Sequence, residues 1–157
     1  MEPPERSEIH LRSVEPIRGI RTDWVLDAVA HALAQHGRAT GRVDILLTDD
    51  RELAQLNSTY RGQPEPTDVL SFPSGEFNGG SLGDVAISLS AARRQALARK
   101  ASLSNELTHL AVHGALHLLG FDDRTTADRS RMQKAMAAAC RAAGVTPDAA
   151  WESATHA

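Results

Sequence analysis

The sequence predicts an α+β domain in which helices pack on a small mixed β-sheet. Two observations predict it. Short apolar runs bounded by turn residues crowd the first half of the chain, and three long stretches of helical periodicity fill the second. A segment with two prolines and a glycine, RGQPEPT from Arg61 to Thr67, separates the early elements and is neither helix nor central strand.

The elements follow in order. Ser7 to Val14 reads as a short strand with imperfect alternation. Thr22 offers an N-cap to a helix in which Trp24, Val25, Val29 and Leu33 recur at helical spacing, ended by Gly37. VDILLT, Val43 to Thr48, is an apolar strand, and Asp49 at its end caps a helix carrying Leu53, Leu56 and Tyr60. DVLSF (Asp68 to Phe72) and GDVAIS (Gly83 to Ser88) are strands joined across the glycine-rich GEFNGG, as a hairpin or by a wider loop. The late helices span Ser90 to Lys100, Ser104 to Leu119 and Thr126 to Ala143, the last closed by Gly144. Residues 1–146 are expected to form a single domain, and 147–157 a loosely ordered tail.

Composition bounds the function. A chain of 157 residues with 41% hydrophobic content is the size of one core. No apolar run approaches the roughly 20 residues that span a bilayer, and MEPPERSEIH is acidic and proline-rich where a secretory signal is basic and then apolar. A soluble, cytoplasmic protein without a membrane partner is expected. One cysteine, Cys140, makes neither an internal disulfide nor a thiolate metal site, so any metal must be held by histidine and carboxylate. The net charge of −3 gives no bulk attraction to nucleic acid; RRQALARK, Arg93 to Lys100, is a solvated face or a local basic surface for phosphates.

Chemistry concentrates in ELTHLAVHGALHLLGFDD, Glu106 to Asp123. On a helix, His113 and His117 stand about 6 Å apart along one face and aim the same way. Gly120 can end the helix in a left-handed turn that returns a third ligand. Counted from His113, the order is His, His at +4, Gly at +7 and Asp at +10, which is the spacing of H-E-x-x-H-x-x-G-x-x-H with two replacements. Asp123 takes the place of the last histidine. Gly114 takes the place of the glutamate that serves zinc peptidases as general base. Ordinary core histidines are the competing reading, but an apolar helix gains nothing from imidazoles whose nitrogens it must then satisfy. His109, one turn earlier on the stripe, is a fourth ligand, a group supporting the ligands or a substrate contact. Asp122 competes with Asp123, because a turn slips easily by one residue.

Two blocks carry a family resemblance. LNSTYRGQPEPTDVLSFP, Leu56 to Pro73, is similar to N-x-x-Y-R-x-x-D-x-P-T-D-V-L-S-F-P, and the helix block is similar to H-G-x-L-H-L-x-G-Y-D-H; LGDVAIS, Leu82 to Ser88, matches a stretch between them. In these the chain resembles the YbeY family of rRNA maturation factors, metal-dependent endoribonucleases specific for single strands. The resemblance implies one Zn2+ held by His113 and His117, with Asp123 in the place of a third histidine and Arg61 in that of an arginine important for activity. It also implies single-stranded ribosomal RNA as substrate, the small ribosomal subunit as partner, and roles in 16S rRNA 3′ end maturation and ribosome quality control. Asp123 departs from the family pattern. Two histidines and a carboxylate remain a sound zinc site, yet the added negative charge acidifies bound water less, which fits lower activity or a harder ion such as Mn2+. Thr67 and Asp68 either cap the loop and start a strand, or Asp68 holds Arg61 or a metal-ligating histidine in place. A metallopeptidase and a non-catalytic ribosome-assembly binding module with a structural metal are the alternatives, the first opposed by Gly114.

Overall fold

The computed structural model describes residues 7–36, 41–62, 67–74 and 81–153. The expected helix stop at Gly37, residues 63–66 of the proline loop, the stretch 75–80 and the last four residues of the tail lie outside the described residues.

Nine elements follow one another: β1 (Ser7–Ser13), α1 (Thr22–Gln35), β2 (Gly41–Thr48), α2 (Asp50–Arg61), β3 (Val69–Pro73), β4 (Ser81–Ser88), α3 (Leu89–Arg99), α4 (Leu103–Leu118) and α5 (Thr126–Ala142). The strands form one sheet in the order β1-β2-β4-β3, with β1, β2 and β4 mutually parallel along the sheet and β3 antiparallel to β4. The sheet is therefore mixed. Alternation assigns its two faces. Val43, Ile45 and Leu47 of β2 join Val85 and Ile87 of β4 in the main core beneath α1, α4 and α5. On the other face Leu70 and Ala86 pack with Leu53 of α2 in a smaller cluster.

Local signals explain most boundaries. Asp49 caps α2 by accepting from the Glu52 N–H at 2.8 Å, and Ser102 caps α4 by accepting from the Asn105 N–H at 3.0 Å. Thr22 does not cap α1: it is the first helical residue, Arg21 holds the cap position, and the Arg21 N–H donates to Ser104 Oγ of α4 instead. Arg61 does not lie in the loop but closes α2. Gly62 sits in the left-handed conformation, φ 65°, and its N–H donates back to Asn57 O and Ser58 O, so the helix runs one residue further than the proline-rich composition suggests.

The segment after α5 also departs from the loose order expected of it. Residues 145–153 fold back along α4, burying Val145, Trp151 and Ser153. A lone tryptophan in a polar tail carries no periodicity, which is why the sequence hides this contact. Among the described residues no helix is long and apolar enough to cross a membrane.

Candidate metal centre

Helix α4 is buried almost from end to end. Close packing demands a glycine halfway along it: a Cβ at Gly114 would come within 2.5 Å of Val85 Cγ1 on β4. The Ser71 hydroxyl of β3 donates to the Gly114 carbonyl at 2.8 Å, tying helix to sheet at the same level. Position 114 thus faces the sheet, and no longer side chain fits there.

His113 and His117 point away from that contact and meet. Their Nε2 atoms are 3.1 Å apart, and each lies 3.7 Å from Asp123 Oδ2. These three are the group of His, Cys, Asp and Glu side chains, among the described residues, whose donor atoms converge closely enough to hold one ion. Asp123 is delivered by the turn after α4, where Gly120 takes φ 95° and the Phe121 N–H donates to Leu116 O. The Phe121 carbonyl accepts from His117 Nδ1 at 3.0 Å. A carbonyl only accepts, so Nδ1 carries the proton and Nε2 presents a lone pair to its neighbours. Asp122 is committed elsewhere: its Oδ1 accepts from the Asp123 N–H at 2.8 Å and its Oδ2 lies 3.6 Å from Arg124 Nε.

Donor chemistry and spacing fit a metal. Ligand atoms about 2.0–2.2 Å from a tetrahedral ion stand roughly 3.3 Å from one another, which the observed triangle brackets. Two imidazoles and a carboxylate suit Zn2+ and other divalent transition metals, and three ligands leave a fourth position open.

Arg61 lies in the same cleft, of about 220 Å³, lined also by Asn57, Ser71, His113, His117 and Asp123. It is exposed, and one Nη2–H donates to Ser71 O at 3.0 Å, anchoring the guanidinium at the rim. Asn57, one turn earlier on α2, is buried. Sequence reasoning gave Asn57 no role and missed Arg129 altogether. Arg129 of α5 reaches back, Nη1 lying 3.3 Å from both the Asp123 and Arg124 carbonyls, and so braces the turn that carries Asp123. No sequence signal links an arginine in a later helix to a turn before it.

Other candidates have partners of their own. His109 is outside the converging group: Nδ1–H donates to Asn105 O at 2.9 Å and Nε2 accepts from the Asp148 N–H at 3.1 Å. Burial above all lowers its pKa. Asp68, fully buried, accepts from Gln95 Nε2 at 3.0 Å and from the Ser153 hydroxyl at 2.7 Å. Thr67 turns its hydroxyl toward the Val69 carbonyl. The arginines of α3 are paired, Arg93 with Glu15 and Arg94 with Asp50 on an exposed face, and Arg99 with Glu106 and Asp148. Cys140 is buried against His109, and burial pushes its thiol up to about 11.

Comparison with known proteins agrees with this layout. The solution structure of TM1509 from Thermotoga maritima superposes with a TM-score of 0.59 over 86% of this chain and 88% of that one, at 22% identity, a likeness of fold. Endoribonuclease YbeY of Anaeromyxobacter sp. (strain Fw109-5) is 41% identical over 141 residues, spanning 88% of this chain and 71% of that protein. Endoribonuclease YbeY of Aquifex aeolicus is 46% identical over 107 residues, 67% of this chain and 71% of its own length. The family described as Endoribonuclease YbeY matches residues 14–144, from the end of β1 to the close of α5 and across every residue of the converging triangle, so the chain belongs to the YbeY family.

Proposed function

We propose that this protein is a zinc-dependent endoribonuclease that cuts single-stranded RNA. Its setting is the cytoplasm, its partner the small ribosomal subunit, and its work the processing of ribosomal RNA, including 16S rRNA 3′ end maturation, and ribosome quality control. The observation that carries the reading is the triangle of His113 Nε2, His117 Nε2 and Asp123 Oδ2 in one cleft with Arg61. Relatives at 41% and 46% identity bear the name Endoribonuclease YbeY.

His113, His117 and Asp123 would hold the ion. When bound, it supplies Lewis acidity toward a phosphoryl oxygen and lowers the pKa of water. Arg61, steadied by its bond to Ser71 O, keeps further N–H donors for the phosphate and stabilises the charge that grows on it. His117 Nδ1–H on the Phe121 carbonyl and Arg129 on the Asp123 carbonyl keep two of the ligands in place. A peptidase reading has less support, because a general base at position 114 would collide with Val85.

The test is cleavage of a single-stranded RNA beside its own duplex, with EDTA and then with Zn2+ or Mn2+ restored. Cleavage of the single strand that stops with chelator and returns with metal is expected. Absence of cleavage at every metal concentration, with retained binding to small-subunit particles, would replace this reading by a binding module with a structural metal.

A further inference from the structure

The family match ends at residue 144, just before a segment whose Ser153 lines the cleft. After Gly144 the chain turns back, with the Val145 N–H on Cys140 O at 2.8 Å, and climbs α4 toward the metal end. Asn105 Nδ2 donates to Thr146 O at 3.1 Å, and the Asp148 N–H donates to His109 Nε2 at 3.1 Å. Residues 105, 109 and 113 lie on one face of the helix, and the segment follows that face. Trp151 reaches its upper part: the indole stacks on His109 at 6.0 Å between ring centroids and tilts against His113 at 5.1 Å. Two residues on, the Ser153 hydroxyl bonds the buried Asp68, and Ser153 lines the cleft.

We propose that residues 145–153 are a strap belonging to the metal centre, in which Trp151 is a positioning residue that sets the ring plane of His113. The proposal rests on the reading of His113 as a metal ligand. A tryptophan that only filled space would need contact and nothing more. This indole is fixed from several directions: Nε1–H donates to Glu106 Oε1 at 2.9 Å, and the Arg99 guanidinium lies 5.2 Å from the ring centroid. Arg99 also donates to the Glu152 carbonyl at 2.8 Å, holding the strap beside the ring. Glu106, at 1% exposure, and Arg99 belong to α4 and α3, so the orientation of the indole is set by the same framework that carries His113. An imidazole turns about its outer bond unless a neighbour stops it, and a ligand allowed to turn binds its ion less well. Trp151 supplies such a stop on its side of the ring, as His117 does on another.

The test uses the full chain with Co2+ as probe, measuring affinity by titration and geometry by the visible absorption of the bound ion, beside the melting temperature. Trp151→Ala is expected to lose roughly tenfold to a hundredfold in Co2+ affinity and to shift the absorption bands. Trp151→Phe keeps an aromatic ring against His113 while losing the bond to Glu106 and the second ring of the indole, so it is expected to recover much of the affinity and the wild-type spectrum. Should Trp151→Ala fail to fold, Trp151→Leu replaces it and is expected to show the same loss. A lower melting temperature with wild-type affinity and spectrum in the Ala or Leu variant would overturn the proposal, leaving Trp151 as packing alone. A wild-type chain that binds no Co2+ would instead overturn the metal reading itself, and this proposal with it.

Discussion

Helix α4 carries three histidines on one stripe, and its two ends use them differently. At the N-terminal end both ring nitrogens of His109 serve the backbone, one donating to Asn105 O and one accepting from Asp148. At the C-terminal end His117 has one nitrogen on the Phe121 carbonyl, while its other faces His113 at 3.1 Å with Asp123 behind both. Two imidazole nitrogens that close either share a proton or share a cation. What separates His109 from the proposed ligands is therefore the partner of its second nitrogen; burial does not, since His109 is 1% exposed and His113 6%.

The largest effect should divide the two ends. His113→Ala is expected to abolish stoichiometric metal binding, taking the content from about one ion per chain to none by elemental analysis. His109→Ala should keep the ion and lose stability instead, by about 2–5 kcal/mol, the range for emptying a large buried side chain. Equal metal loss in both variants would erase the distinction between the ends.

Arg61 sharpens the contrast from outside the proposed ligand set. Arg61→Ala should leave metal content and melting temperature near wild type while cleavage falls by about 2.7–4 kcal/mol, a hundredfold to a thousandfold, in single-turnover assays. Arg61→Lys should recover little, since an ammonium cannot make the planar two-bond grip on phosphate. Wild-type cleavage by Arg61→Ala would reduce this residue to an anchor on Ser71.

How much of this was legible depends on distance along the chain. His113, His117, Gly120 and Asp123 span one helix and one turn, so fixed geometry brings them together and counting residues finds them. Asp49 and Gly144 were legible for the same reason, since a cap acts on its immediate neighbours. Trp151 and Ser153 act on residues 38 to 85 positions away and Arg129 acts across a helix boundary, and nothing local announces them. The arginines of α3 mark the opposite failure: their charge was visible, their partners Glu15, Asp50 and Glu106 were not. The order β1-β2-β4-β3 likewise rests on tertiary packing that no strand pattern specifies.

The turn offers a smaller and sharper contrast. Asp123→Ala is expected to weaken metal affinity more than Asp122→Ala, which should act through the turn alone. Asp123→His should hold the ion, because it restores the third imidazole seen in the family pattern. A crystal structure with Asp122 on the metal would show that the turn rearranges around the ion.

The smallest effect concerns acid and the structural end. Burial, the leading influence, holds the pKa of His109 below its usual 6.5, while the Asn105 carbonyl and Asp148 pull it up and Arg99 pushes it further down. The unfolded chain then takes a proton near pH 6.5 that the folded chain refuses. Bound protons are more numerous in the unfolded state across that window, so stability falls as pH drops below 6.5, by at most about 1.4 kcal/mol per pH unit, and the loss ends once the folded group titrates. Glu106 works against it. Burial raises its carboxyl above 4.5 despite the Trp151 hydrogen bond and Arg99, so its contribution grows as pH falls toward 4.5. His109→Gln separates the two, since an amide oxygen can accept from the Asp148 N–H without titrating. Between pH 7.5 and 5.5 the metal-free wild type should lose melting temperature relative to His109→Gln, and hydrogen exchange at the Asp148 amide should quicken, because a protonated Nε2 no longer accepts. Parallel curves for the two proteins would mean that His109 does not hold the strap as a neutral acceptor, and the contrast between the ends of α4 would lose its structural half.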